Sequence, residues 1–316
     1  MKHNGRRYYP FSQFLKERFG CKVYKLPVDA GFTCPNRDGK IGYGGCTYCY
    51  NPSFSPPILL QKSSISLQVK YRKALLKRKG KVNKFLVYFQ SYTNTYAKVK
   101  ILKRLYDEAI QDKDVIGFCI GTRPDCVPDE VLDLIESYAQ NYHIWLEYGL
   151  QSMHDETLLR IRRGHNFAQF GDAVKRTQGR NIFICVHIIL GLPGEAKEDI
   201  LKTTRALVRM GIDGIKLHHL QVIKNTRIAR EFSKGEFKVL SLEDYIKLVC
   251  DVLELLPARI AIQRLVGEVL QDKMLVAPRW NLNKHKVLSA IDQEFVDRGS
   301  FQGSKFDEAD GSERKC

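Results

Sequence analysis

Val115-Ile116-Gly117-Phe118-Cys119-Ile120-Gly121-Thr122, then Pro128-Asp129-Glu130-Val131-Leu132-Asp133-Leu134-Ile135, then His143-Ile144-Trp145-Leu146-Glu147-Tyr148-Gly149-Leu150: an apolar run, an amphipathic stretch and a second apolar run follow one another within 36 residues. The two runs read as strands buried on both faces. Pro128 followed by two acids reads as a helix start, with apolar residues then recurring three and four apart. The unit is a strand–helix–strand crossover, which joins parallel neighbours. Working outward, similar runs occur at Lys22–Val28, Lys84–Gln90, Asn181–Leu190 and Gly214–Ile223, so six strand–helix units are expected. A parallel sheet follows, closed into a partial barrel or left open and doubly wound. In either form the functional residues belong at the C-terminal strand ends. Asn4–Cys21 is expected to form a helix ahead of the first strand. Ser241-Leu242-Glu243-Asp244 caps a helix reaching about Leu256, and Ala258–Leu265 is a candidate seventh strand.

After the first strand the chain carries three cysteines: Cys34-Pro35-Asn36-Arg37-Asp38-Gly39, then Gly44-Gly45-Cys46-Thr47-Tyr48-Cys49. Three thiolates on a loop broken by glycine and proline suit a metal centre. Structural zinc takes four ligands, and no fourth Cys or His lies nearby in the sequence, which leaves a three-cysteine zinc site with a distant fourth ligand, or plain thiols, as the alternatives. A 4Fe–4S cluster held by Cys34, Cys46 and Cys49 would keep one iron open to a small molecule, as radical S-adenosylmethionine (SAM) chemistry requires.

The 316 residues, 44% hydrophobic, are enough for one large core with an extension. No run of eighteen apolar residues is present, so no membrane span is expected. Met1–Tyr9 has no apolar segment of a secretion signal. Nine cysteines, an odd number, point to a reducing compartment, and a cytoplasmic location is expected. A net charge of +16 makes nucleic acid a plausible partner. Arg72, Lys73, Lys77, Arg78, Lys79, Lys81 and Lys84 concentrate part of it within thirteen residues, although such runs are commonly solvated helix faces.

Tyr48 before the last cysteine, in Cys46-Thr47-Tyr48-Cys49, resembles the end of the radical SAM cluster motif. The eleven residues between Cys34 and Cys46 are similar to the widened loops of the branch that contains the elongator catalytic subunit. Gly121-Thr122-Arg123-Pro124-Asp125-Cys126 is similar to the Glu-Thr-Arg-Pro-Asp segment of that subunit and, more loosely, to its counterpart in oxygen-independent coproporphyrinogen oxidases. Here Gly121 stands where those families place a glutamate, and Arg123 with Asp125 could form a buried structural latch. Gly149-Leu150-Gln151-Ser152 and Arg163-Gly164-His165 are the closest match. The whole chain looks like a family marked by Cys-Pro-Asn-Arg-Asp-Gly and Gly-Thr-Arg-Pro-Asp-Cys.

The resemblance implies an α/β fold: a partial (β/α)6 TIM-like barrel with an N-terminal helix and a small C-terminal α/β extension. The expected divisions are 1–21 for the helical extension, 22–231 for the barrel, 232–302 for the C-terminal extension and 303–316 for a disordered tail. It implies SAM contacts from Gln90, Gln151, Arg163 and His187, with Arg163 on the carboxylate, and from Gly191 and Leu192 in the Gly-Leu-Pro-Gly-Glu turn, where Leu192 would face adenine. Cys126 is a candidate hydrogen-atom donor or thiolate, against the reading of a buried small residue. The implied function is reductive cleavage of SAM to a 5′-deoxyadenosyl radical that modifies tRNA at a wobble-uridine side chain, with electrons from a flavodoxin- or ferredoxin-type donor. An anionic small molecule such as a tetrapyrrole is the alternative substrate. A non-catalytic, zinc-containing nucleic-acid-binding protein is the alternative from another class.

Overall fold

The computed structural model describes residues 5–51, 63–77, 82–267 and 272–307. Seven strands form one all-parallel sheet: β1 (Val23–Val28), β2 (Lys84–Phe89), β3 (Val115–Thr122), β4 (His143–Gln151), β5 (Phe183–Leu190), β6 (Gly214–His219) and, last in order, Ala261–Arg264. The sheet curls into a half-barrel. The expected seventh strand is therefore present and pairs with β6. It lies within 232–302, so that segment completes the barrel sheet. Numbered in chain order, the short Val222–Ile223 is β7, Ala261–Arg264 is β8, and Leu275–Ala277 is β9, with β7 and β9 pairing antiparallel.

The helices are α1 (Phe11–Phe19), α2 (Ile65–Lys77), α3 (Val99–Ala109), α4 (Asp129–Ala139), α5 (Asp155–Arg160), α6 (Phe167–Thr177), α7 (Lys197–Arg209), α8 (Arg227–Ser233), α9 (Leu242–Leu255) and α10 (Lys284–Asp297). Their starts follow the sequence. Pro128 precedes α4, Asn166 builds a capping box on α6, and the Ser241 hydroxyl accepts from the Asp244 N–H at the head of α9. The outer sheet face and these helices share the main core, for example Phe89, Tyr106, Phe118 and Tyr138. Among the described residues no helix is long and apolar enough to cross a membrane.

Strand alternation sends the other set of side chains inward, in layers. The lowest layer is apolar: Leu86, Cys119, Trp145, Cys185 and Ala261. Helix α1 plugs it from below, with Phe11 and Phe14 both edge-on to Trp145 at 5.1 and 5.4 Å between ring centroids. Gly214 leaves the room Trp145 needs, since a Cβ there would lie 2.8 Å from the indole. The helix is shorter than the expected Asn4–Cys21, because Pro10 sets its start and Gly20 ends it at φ 69°. The next layer is charged (Lys25, Glu147, Lys216), and above it the barrel opens.

Gly303 and Lys305 donate backbone hydrogen bonds to the carbonyls of Leu253 and Glu254. This places 303–307 on α9, apart from the disordered tail expected from Gly303; 308–316 lie outside the described residues.

Candidate active site

The loop 29–51 crosses the mouth of the barrel and is fastened at both ends. At its start, buried Gln68 of α2 accepts from the Asp29 N–H at 2.9 Å and donates to the Asp29 carbonyl at 2.7 Å. Further along, Asn36 Nδ2 donates to the Arg162 carbonyl at 2.6 Å and stands 3.5 Å from Cys46 Sγ. The Thr47 N–H donates to the Ile161 carbonyl, and the Thr47 carbonyl accepts from the Ile228 N–H. Gly45, at φ 84°, lets Arg37 pass within 2.8 Å of where a Cβ would sit, and Arg37 donates to the Cys49 carbonyl at 3.3 Å.

These ties turn Cys34, Cys46 and Cys49 toward one cleft at the C-terminal strand ends. Gln90, Gly121, Gln151, Ile189, His218 and Arg264 are on its other walls. Gln151 has a left-handed backbone, φ 81°, at a register break after Gly149, which aims its side chain into the cleft. Among the described residues no three His, Cys, Asp or Glu side chains stand close enough to hold a single metal ion. Three thiols facing one cleft, with no fourth donor joining them among the described residues, fit a multinuclear cluster with an open position better than a zinc ion.

Arg163, in the turn after α5, is 7% exposed. Its Nε and Nη2 donate to the Gly149 carbonyl at 3.1 and 2.6 Å, while Nη1 lies 3.5 Å from Cys46 Sγ. The guanidinium is thus engaged with protein groups, and Arg163 also lines the cleft, where a SAM-carboxylate contact is expected of it. Burial raises the Cys46 pKa, and the charges of Arg163 and Arg123 more than offset this, so the thiol is held below its ordinary value. Arg123 and Asp125 form the latch weighed above, bidentate at 2.9 and 2.8 Å, and Arg123 also donates to the Arg163 carbonyl.

The remaining expected contacts divide. Gln90 and His187 line the cleft. His187 Nε2 is 3.0 Å from Glu147 Oε2, and burial lowers its pKa to about 4. Gly191 and Leu192 are not on the cleft wall. A Cβ at Gly191 would meet Leu240, and Leu192 sits 2% exposed in an apolar cluster with Leu158, Ile161 and Val222. The apolar cleft residues on this side are Ile189 and Leu220. Cys126 lies in a neighbouring depression with Thr95 and Asp125, and burial pushes its thiol up to about 12. At 7% exposure it matches the reading of a buried small residue.

Sequence reading missed Asn36, Lys25, Glu147 and Arg264. Glu147 is fully buried and is bound by Lys25 Nζ at 2.8 Å, by His187 and, in a short contact, by Lys216. Lys216 also donates to the Tyr88 hydroxyl at 2.9 Å. The available signal was a charge at an inward position of an otherwise apolar strand. The basic stretch on α2 is partly neutralised: Lys73 pairs with Asp112 and Asp114, each at 2.6 Å, and Lys77 with Asp114 at 3.2 Å. Arg78, Lys79 and Lys81 lie outside the described residues.

A parallel half-barrel whose mouth is crossed by a three-cysteine loop is the architecture of a radical SAM enzyme. The chain matches the radical SAM superfamily over residues 34–207 and the radical SAM C-terminal domain over 212–297. It belongs to that superfamily, which removes the non-catalytic zinc-protein alternative. It is similar to YtqA of Bacillus subtilis (strain 168), 37% identical over 95% of this chain and 93% of that protein. A more distant similarity, 25% identical over 49% of this chain and 34% of the other, is to the tRNA uridine(34) acetyltransferase of Dehalococcoides mccartyi (strain CBDB1). Among solved structures, Elp3 of Methanocaldococcus infernus, lacking its N-terminus, superposes with a TM-score of 0.66 at 18% identity, over 89% of this chain and 64% of that one. At that identity the likeness concerns the fold. The superfamily implies a 4Fe–4S cluster and SAM.

Proposed function

We propose that this chain is a radical SAM enzyme that modifies tRNA, at a wobble-uridine side chain. The RNA part of this reading is carried by the similarity to a tRNA uridine(34) acetyltransferase over about half of the chain. The net charge of +16 agrees with a polyanionic substrate.

In this reading Cys34, Cys46 and Cys49 hold the 4Fe–4S cluster, which when bound supplies the electron for reductive cleavage of SAM. Arg163 and Asn36 act on the thiolate side, where their N–H groups stand 3.5 Å from Cys46 Sγ and offset its charge. Gln90, Gln151 and His187 line the space left for SAM. Loop 29–51 and the Arg160–His165 turn, joined through Asn36, shield that space from bulk water. The electron comes from a low-potential flavodoxin- or ferredoxin-type protein. The eight described cysteines are all free thiols, in keeping with a cytoplasmic setting.

The test is 5′-deoxyadenosine formation by anaerobically reconstituted protein with SAM and dithionite, with and without bulk tRNA. Cleavage stimulated by tRNA, together with a new uridine derivative in nucleoside mass spectrometry, is the expected result. Cleavage indifferent to tRNA sinks the RNA part. An intact cluster that never cleaves SAM sinks the whole reading.

A further inference from the structure

We infer that the wall of the cleft formed by β6 and β8 is a second ligand subsite, in which Arg264 and His218 hold the anionic end of a small organic acid or phosphate beside SAM. The inference takes from the proposed function only that SAM occupies the cysteine side of the cleft.

The first support is the charge inside the barrel. Lys25 and Lys216 share one carboxylate, Glu147, and the remaining partners of the two ammonium groups are neutral: Gln263 Oε1 at 2.5 Å and the Tyr88 hydroxyl at 2.9 Å. Arg264 adds a further positive charge, and among the described residues its guanidinium has no hydrogen-bond or ion-pair partner. Among the described residues Glu147 is the one carboxylate on the cleft lining, and it is already occupied. Positive charge shielded from water without a counter-ion is costly, and a bound anion would relieve it. His187 and His218 respond to the same excess. Burial lowers both pKa values, and Lys216 and Arg264 lower them further, so both imidazoles are neutral near pH 7 and can share hydrogen bonds with a ligand.

The second support is backbone geometry. Ile215 pairs with Ile262, but Lys216 pairs with Arg264, so one residue of β8 is bulged out of register. On a regular strand Gln263 and Arg264 would point to opposite faces. Here Gln263 reaches Lys25 inside the barrel and Arg264 faces the cleft, so both serve the interior. A bulge that re-aims a cation into a cleft is a recurrent feature of binding sites. The planar guanidinium fork suits a carboxylate or a phosphate. Ile189 and Leu220 in the same cleft supply apolar surface for the ligand body.

Reconstituted holoenzyme with saturating SAM is titrated calorimetrically with malonate and, separately, with inorganic phosphate. One of the two is expected to bind saturably at one site, and the tighter one identifies the group as carboxylate or phosphate. Arg264→Gln is expected to weaken that binding at least tenfold, Arg264→Lys less, and neither to change SAM affinity. Thermal melts report folding of both variants, and competition between malonate and SAM on the wild type needs no variant. Equal anion affinity in wild type and Arg264→Gln, or no saturable binding of either anion, overturns the inference. Displacement of SAM by malonate also overturns it, by assigning Arg264 to the SAM carboxylate. Loss of tRNA binding in Arg264→Gln with small anions ineffective overturns it in favour of RNA. Failure of the holoenzyme to cleave SAM counts against the proposed function and leaves the anion titration readable.

Discussion

Arg163 reaches Cys46 and Gly149 at once: Nη1 stands 3.5 Å from the sulfur, while the other edge of the guanidinium grips the Gly149 carbonyl. One buried cation therefore ties the cysteine loop to the end of β4. A Cβ on residue 149 would lie 2.8 Å from Arg163 Nη2, so a glycine is needed for the approach.

Arg163→Gln is expected to cost about 3 kcal/mol, since hydrogen bonds to charged groups contribute about 1.5–3 kcal/mol each and His165 Nε2, 3.2 Å from the same carbonyl, remains. Urea unfolding measures the cost, and iron content after reconstitution is expected to fall with it. Arg163→Lys restores charge near Cys46 but not the fork, so iron loading should recover more than stability does. Equal recovery of both would show that the fork is unimportant.

Cys126→Ala tests the other cysteine singled out by the sequence. It lines the neighbouring depression, not the cleft, and burial holds its thiol up to about 12, so the rate of 5′-deoxyadenosine formation should be unchanged. Stability should fall by about 1 kcal/mol for the small volume lost. A variant that folds and loads iron but no longer turns over would return Cys126 to the mechanism.

The contrast between these two residues shows what the sequence could convey. Strands buried on both faces leave uninterrupted β-branched and aromatic runs, so β2, β3 and β4 fall within a residue or so of the runs quoted at the outset. The three cysteines were legible because thiolates on a glycine-rich loop have few other uses. Asn36 was not, since its partner carbonyl on Arg162 is 126 residues away and the link exists only once the barrel has curled. Lys25, Glu147 and Lys216 stand singly on three different strands, and only the curled sheet brings them together. Gly191 and Leu192 are the converse case. The turn has the composition of a nucleotide contact, but Leu240 and the Leu158–Ile161 cluster already fill the space around it.

Five of the eight histidines, three of them buried and His187 and His218 part-buried, have lowered pKa values: His143 to about 3, His165 to about 2, His187 and His219 to about 4, and His218 well below its ordinary value. Burial is the main cause in each. Arg163 adds to it at His165 and Lys216 at His187. In the unfolded chain these imidazoles titrate near 6.5, so below that pH unfolding takes up protons that the folded state refuses. Stability should be flat above about pH 7.5 and fall as pH drops through 6.5, each group costing about 2 kcal/mol by pH 5. Urea midpoints from pH 8 to 5 measure the fall, and His187→Asn should flatten it by about one proton. A midpoint independent of pH in that range would contradict the burial of these rings.

Glu147 governs a separate and lower window. Burial alone would raise its pKa; Lys216, then Lys25 and His187, hold it well below the usual carboxylate range. Its contribution is complete above the unfolded value of 4.5 and is lost only as pH falls toward the folded value. Removing the charge by mutation should therefore be severe at neutral pH. Glu147→Gln strands two ammonium groups in the barrel and is expected to cost about 3–5 kcal/mol. Lys216→Met in the same background removes one stranded charge, so the double variant should be more stable than Glu147→Gln alone. A double-mutant cycle by urea unfolding decides the matter. Additive costs would mean that the contact between these residues carries no ionic coupling, whereas partial rescue shows that Glu147 is retained as the counter-ion that lets the barrel hold its lysines.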